Sequence, residues 1–303
     1  MGMFQKIIKE YGGFETIKSV IGENKINRFS DRLYQSYCKE FEGKSYLKNV
    51  EWILRHYNSS KKITLSVLFF TQAEFLLDKN CKNIAYYALY YSLLNSFWSN
   101  LILLPYLILD KIRRISHSKI FKYIDNYFVK KEIYESRAIE LLNELRMIRE
   151  LYSYHLPIGG SIVREGSELH IDKIYCDLKE LLPVVLQVSN MLSYLSHYAW
   201  NKKVGRPIDK YDEHQTEVDE MFFSFIEHTD YLGKHCVIDD DDYYRQGYLL
   251  RKWQKPFPIN WFITEKMCED LECGWEQPEE NPDGYDINIV TQYLANNIDV
   301  FQP

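Results

Sequence analysis

Glycine is sparse in this chain, 13 residues in 303, and it nowhere gathers into a phosphate cradle. Neither a G-x-G-x-x-G nor a G-x-x-x-x-G-K-S/T run occurs, which removes the usual dinucleotide and P-loop signatures. Cysteine is equally thin. Cys38, Cys81, Cys176, Cys236, Cys268 and Cys273 are scattered without a disulfide-framework spacing. His235-Cys236 with Cys268 and Cys273 offers soft ligands, but the spacing departs from a paired zinc knuckle. The run from Asp239 to Asp242 reads as a solvated acidic loop rather than a cation site. No serine or cysteine triad assembles from residue order. No cofactor and no metal is therefore expected. A signal-peptide pattern is lacking too, because Lys6, Lys9 and Glu10 interrupt the opening residues, so a reducing cytoplasm is the expected compartment. Residues 83 to 109 lack any charged side chain, a length that could span a bilayer. Asn83, Ser92, Asn95, Ser96, Ser99, Asn100 and Pro105 lie within that stretch, which instead predicts a helix buried in a protein core, with no membrane partner.

What is abundant is apolar and aromatic surface: 46% of residues are hydrophobic, and 25 are tyrosine. That is enough for one large or two ordinary domains with a substantial core. The net charge of −6 hides a division. Up to Lys203 the chain carries 29 Lys and Arg against 21 Asp and Glu (+8), and from Val204 onward 8 against 22 (−14). A basic body is joined to an acidic end.

The most informative stretch runs from Arg137 to Pro157. Ile139, Leu142, Leu145, Ile148 and Leu151 recur at helical spacing and leave Arg146 and Arg149 beside the apolar stripe. Leu156 precedes a proline, and Gly159-Gly160 follow, so His155 should sit in the last turn, where the negative end of the helix dipole favours a positive ring. Six steps at about 100° each leave Arg149 and His155 roughly 120° apart. Either the arginine reaches round, or the last turn is distorted, or the two meet counterparts across a dimer interface. The plain alternative is a surface ion pair and a C-terminal cap.

Arg149-Glu-Leu-Tyr-Ser-Tyr-His155 resembles the motif of the HEPN family of all-helical domains, an arginine, four to six residues, then histidine. Ala73-Glu-Phe-Leu-Leu, Ala85-Tyr-Tyr-Ala-Leu-Tyr-Tyr-Ser-Leu-Leu and Ser116-His-Ser-Lys are similar to the family's first two helices and the turn before its third. The likeness covers roughly residues 62 to 202. It implies a metal-independent endoribonuclease in which the ribose 2′-OH attacks the adjacent phosphate, in a toxin or antiphage-defence setting. His155 would exchange protons and Arg149 would hold the phosphate, at the cleft of a homodimer. Arg146, Glu150, Asn95 and Ser92 are candidate helpers. Glu150 stands where active members commonly carry asparagine, so the alternative is a catalytically silent helical module for dimerisation or for binding RNA or protein.

The expected architecture is mainly α: an N-terminal helical extension (1–60), a HEPN-like antiparallel bundle (61–203) and a smaller acidic α+β C-terminal module (204–303). Glycine breaks at Gly12-Gly13, Gly22 and Gly43 divide the first part into short helices, and His56 reads as part of a solvated helix face. Helices are expected from Ile63 to Lys79, from near Asn83, from Asp177 to Trp200 and from Asp286 to Val300, with a small hairpin around Glu165-Gly166-Ser167. Arg113, Arg114, His117, Lys119 and Lys122, interleaved with Phe121 and Tyr123, suit single-stranded RNA, because cations neutralise phosphates and rings stack on unpaired bases. The acidic end is expected to dock on the basic body, compete with RNA and serve an inhibitory or activating protein partner.

Overall fold

The computed structural model describes residues 2–43, 45–113, 115–155, 163–164, 167–168, 171–206, 213–229, 235–237, 244–245, 247–263, 267–274 and 284–298. The chain is mainly helical. Helices α1 (Met3–Tyr11), α2 (Glu15–Ile21) and α3 (Glu23–Phe41) are separated at the expected glycines. Gly12 takes φ +73°, open to glycine at little cost, and its N–H closes α1 on the Ile8 carbonyl at 2.8 Å.

Helices α4 (Tyr46–Asp78) and α5 (Lys82–Ile102) form a long hairpin turned at Lys79–Cys81. Ser59 meets Ser99 at 2.8 Å, and Ser66 meets the Ser92 carbonyl at 2.7 Å, seven residues on along one helix and seven back along the other. That register is antiparallel, and the small side chains let the backbones approach. Ser99 also bonds Ser189, and Asn100 donates to the Val185 carbonyl and to Ser189. The uncharged stretch is thus polar where it meets its neighbours, and among the described residues no helix is long and apolar enough to cross a membrane.

After α5 come α6 (Leu109–Arg113), α7 (His117–Ile124) running into a π-helical turn (Asp125–Val129), and α8 (Arg137–Tyr154). A two-residue ladder pairs Val163 with Glu168 and Arg164 with Ser167, where the hairpin was expected. Helix α9 (Ile171–Lys203), with Pro183 inside it, lies against α1, α2, α3, α5 and α8. Beyond it follow α10 (Gln215–Ile226), a second ladder (Glu227–Thr229 with His235–Val237), a π-helical turn (Leu249–Trp253), α11 (Ile259–Phe262), α12 (Cys268–Gly274) and α13 (Asn288–Asn297).

Three expectations need correction. The boundary at 60/61 falls inside α4, and residues on both sides of it belong to one buried cluster. Ser59 and Ser60, beside that boundary, are buried and bonded. His56 is fully buried, not solvated. Its Nδ1 donates to the Phe257 carbonyl, and Ser196 donates to Nε2 at 3.0 Å. On α9, His197 Nδ1 donates to the Pro256 carbonyl at 2.8 Å, so two histidines hold adjacent carbonyls of the acidic region. Finally, that region docks by apolar contact. Val218, Leu250, Ile259, Ile263, Val290, Leu294 and Ile298 join the core cluster, and α10, α11 and α13 pack on α4 or α9.

Arg55, 1% exposed, fixes the turn after α5. It donates to the carbonyls of Ile102 (2.9 Å), Leu104 (3.3 Å) and Leu107 (2.6 Å) and pairs with Glu51 at 2.7 Å. Burial pushes the Glu51 carboxyl up, but Arg55 and Lys48 outweigh it and hold the group below its ordinary value.

Removing the guanidinium leaves a buried carboxylate and three carbonyls without their donor. Arg55→Met should therefore lose about 3–5 kcal/mol in urea unfolding; a loss under about 1 kcal/mol would refute that role. A second expectation concerns acid. Burial pushes His56 down to about 3, with His197 and Arg55 adding and the Phe257 bond opposing. A histidine depressed from about 6.5 stabilises fully above that pH and loses its contribution as pH falls toward 3. The wild type should lose up to about 1.4 kcal/mol per pH unit from this group below pH 6.5. His56→Gln should flatten the profile.

Candidate functional site

The tyrosine-rich half of α5, the start of α7 and the end of α8 pack against one another. On α8 the buried face is Ala138, Leu141, Leu142, Leu145 and Ile148, with Ile139 only partly covered, a small rotation from the expected stripe. Arg137 anchors the helix start through Asp177 (2.5 Å) and Glu144 (2.9 Å). The rotation turns Arg149 inward and leaves Arg146 at the rim, with 17% and 42% of their side chains exposed.

Arg149 lies 5.2 Å over the Tyr90 ring. One terminal nitrogen reaches Glu150 at 3.3 Å, and its buried Nε has no hydrogen-bond partner among the described residues. An unmet buried donor on a charged group is unfavourable, and an anionic oxygen could accept from it. Arg146 sits 5.9 Å over Phe121 and donates to the same Glu150 oxygen at 2.9 Å. That bond holds the Glu150 carboxyl below its ordinary range against a small opposing effect of burial, and Arg149 adds to it. Two guanidiniums share one carboxylate, leaving a local positive excess.

The imidazole brought to this cluster is His117. Its Nδ1 lies 2.8 Å from the Tyr90 hydroxyl, and its ring packs on Tyr90 and edgewise on Tyr91 at 5.8 and 6.1 Å. Burial pushes the Tyr90 phenol up to about 12, opposed by Arg149, so it stays protonated. Burial, then Arg149 and Arg146, push His117 below its ordinary value, so near neutral pH it is uncharged. With both groups neutral, we assign the phenol as donor to Nδ1, which leaves the proton on Nε2. Tyr87, 43% exposed, packs on Tyr91 at 4.6 Å and adds an exposed aromatic surface beside these rings.

His155 is where the chain signals put it, capping α8 through its N–H to the Leu151 carbonyl at 2.9 Å. Its imidazole is exposed and has no hydrogen bond, ion pair or ring contact among the described residues, so the fold of the single chain does not join it to Arg149. Ser92 and Asn95 are also placed elsewhere. Ser92 faces Ser66 of α4, and Asn95 folds back on the Tyr91 carbonyl at 2.7 Å. Lys119 and Lys122 line the exposed face of α7, whereas Phe121 is buried beneath Arg146 and unavailable to a base. Arg113 ends α6; Arg114 and the Asp239–Asp242 run lie outside the described residues. Among the described residues no group of three or more His, Cys, Asp or Glu is arranged to hold a metal ion. By sequence His117 reads only as one member of the basic run. Its approach to Arg149 depends on the α5–α7–α8 packing, and the local sign is the run of tyrosines at i, i+1, i+4 and i+5 in α5.

Comparison of the chain with models of protein families, with characterised proteins and with solved structures found no match.

The arrangement makes a direct statement about titration. Arg149→Met should raise the His117 value toward 6.5 in an NMR pH titration of the imidazole C–H signals. An unmoved titration would mean that the guanidinium does not act on this ring.

Proposed function

We propose that this chain is an endoribonuclease of the HEPN type, acting at the α5–α7–α8 end on a phosphodiester of RNA. The observation that carries the reading is Arg149, held inward with an unmet Nε beside a second guanidinium, a neutral imidazole and exposed aromatic rings. A phosphate would take the unmet donor and displace Glu150 from at least one arginine. Arginine suits this role because its fork of donors matches two phosphate oxygens, and the charge that grows on them in the transition state strengthens the contact. The 2′-OH gives up its proton as its oxygen attacks the adjacent phosphorus, the bond to the 5′-oxygen breaks, and that oxygen takes up a proton, so a 2′,3′-cyclic phosphate and a free 5′-OH are left. His155 supplies proton exchange, and because it stands apart from Arg149 within one protomer, a homodimer would complete the site with the second copy. The resemblance implies that no metal takes part, and it suggests a toxin or antiphage setting with a protein that restrains or triggers the enzyme.

One observation favours a second reading. Glu150 bonds both Arg146 and Arg149, as a carboxylate in place of the family's usual asparagine can do, and this internal neutralisation suits a silent module that binds RNA or protein.

Purified protein should cut single-stranded RNA in the presence of EDTA. Arg149→Ala and His155→Ala should each slow cutting by about 10² or more with folding intact. Unchanged cutting by either variant rejects the mechanism, and salt-sensitive RNA binding without cutting at any protein concentration selects the silent module.

A further inference from the structure

At the opposite end of α5 and α7 a second basic site is built, between α3, the turn after α5 and the π-helical turn. It is a pocket of about 470 Å³, within the range of small-molecule sites. Five cations line it, and two are neutralised: Lys25 by Glu132 at 3.0 Å and Lys130 by Asp125 at 2.7 Å. Arg28, Arg32 and Lys131 have no acidic partner among the described residues. The nearby carboxylate of α3, Asp31, is turned away to the Met3 N–H at 2.7 Å. Arg28 and Arg32 are one helical turn apart, a like-charge pair that repels unless an anion sits between them. Arg28 Nε is tied to the Asn24 carbonyl at 3.3 Å, which sets the guanidinium while leaving its terminal nitrogens available.

The aromatic half of the pocket is equally fixed. Tyr106 and Tyr127 are stacked, 5.9 Å apart and 15° from parallel, and Tyr106 remains 50% exposed. Its hydroxyl is held by Ser36 at 2.9 Å, and its backbone lies between the Leu104 and Leu107 carbonyls gripped by Arg55. A flat, half-open ring on a rigid turn beside two unneutralised guanidiniums recognises a planar base carrying a phosphate.

We infer that this pocket binds a nucleotide unit of single-stranded RNA, the base stacked on Tyr106 and the phosphate between Arg28 and Arg32. A strand is favoured over a free nucleotide because the exposed face of α7 continues the surface. Lys119, Lys122 and half-buried Tyr123, which packs on Tyr127 at 6.0 Å, run from the His117 end to the pocket. Ten residues of helix cover about 15 Å, enough for two or three nucleotides between the ends. The inference does not rest on cleavage, since a strand that is held and never cut would occupy the pocket equally.

The test is fluorescence anisotropy of the full chain with labelled RNAs of two to eight nucleotides and with UMP as competitor. For wild type, affinity should rise with length up to about six nucleotides. Arg28→Gln/Arg32→Gln should weaken the longer RNAs at least tenfold and lower the salt slope by about 0.7 to 1.4. Tyr106→Leu should weaken them at least fivefold, while Tyr106→Phe, which keeps the ring, should bind as wild type. Wild-type RNA binding by the folded double variant overturns the assignment. UMP binding here as tightly as the eight-nucleotide strand also overturns it, in favour of a free nucleotide. RNA held through this pocket but never cut supports the assignment and rejects only the nuclease reading.

Discussion

A guanidinium almost wholly removed from water is tolerable only if nearly every donor finds an acceptor, and Arg55 meets that demand with Glu51 and the carbonyls of Ile102, Leu104 and Leu107. Those carbonyls lie where the end of α5 would otherwise leave acceptors unmet. The chain can therefore reverse inside the protein without abandoning its polar backbone. Everything downstream takes its direction from that reversal: the seat of Tyr106, the course of α7, and so the places where His117 and Tyr127 emerge at the two ends of the bundle. The serine and asparagine seam of α4, α5 and α9 supplies the register; the arginine supplies the corner.

Much of the helical architecture was legible because it follows local rules. Glycine at positive φ ended the early helices, Asn80 and Cys81 closed α4 against α5, and apolar recurrence marked α8 and α9. Extent was harder to read. Ser59 and Ser60 look like loop residues, but they lie at a helix–helix contact, where a short hydroxyl permits close approach and finds a partner across it. Arg55 and His56 look solvated for a similar reason. Their acceptors are main-chain carbonyls from Ile102 to Leu107 and at Phe257, and a carbonyl has no signature in sequence.

The candidate site divides along the same line. Arg146, Arg149 and Glu150 are close in sequence, so their ion pairing was foreseeable from spacing. The pairing of Arg149 with the distant His117 and Tyr90 was not, because three helices must first pack. Ser92 and Asn95 illustrate the converse. Both are buried and polar on the right helix, yet their partners are Ser66 and their own helix backbone.

The two histidines that hold Pro256 and Phe257, with Asn190 donating to the Ile298 carbonyl at 3.0 Å, bear on how the protein is made. The acceptors of His197 and Asn190 on α9 and of His56 on α4 lie 59, 108 and 201 residues further along the chain. A nascent polypeptide emerging from the ribosome can form the α4–α5 hairpin early, but it exposes unmet imidazoles and apolar surface until the segment ending at Ile298 has been translated. Completion of the interior is thus tied to synthesis through residue 298, and a ribosome stalled before that point would display a sticky, half-sealed bundle to chaperones and proteases.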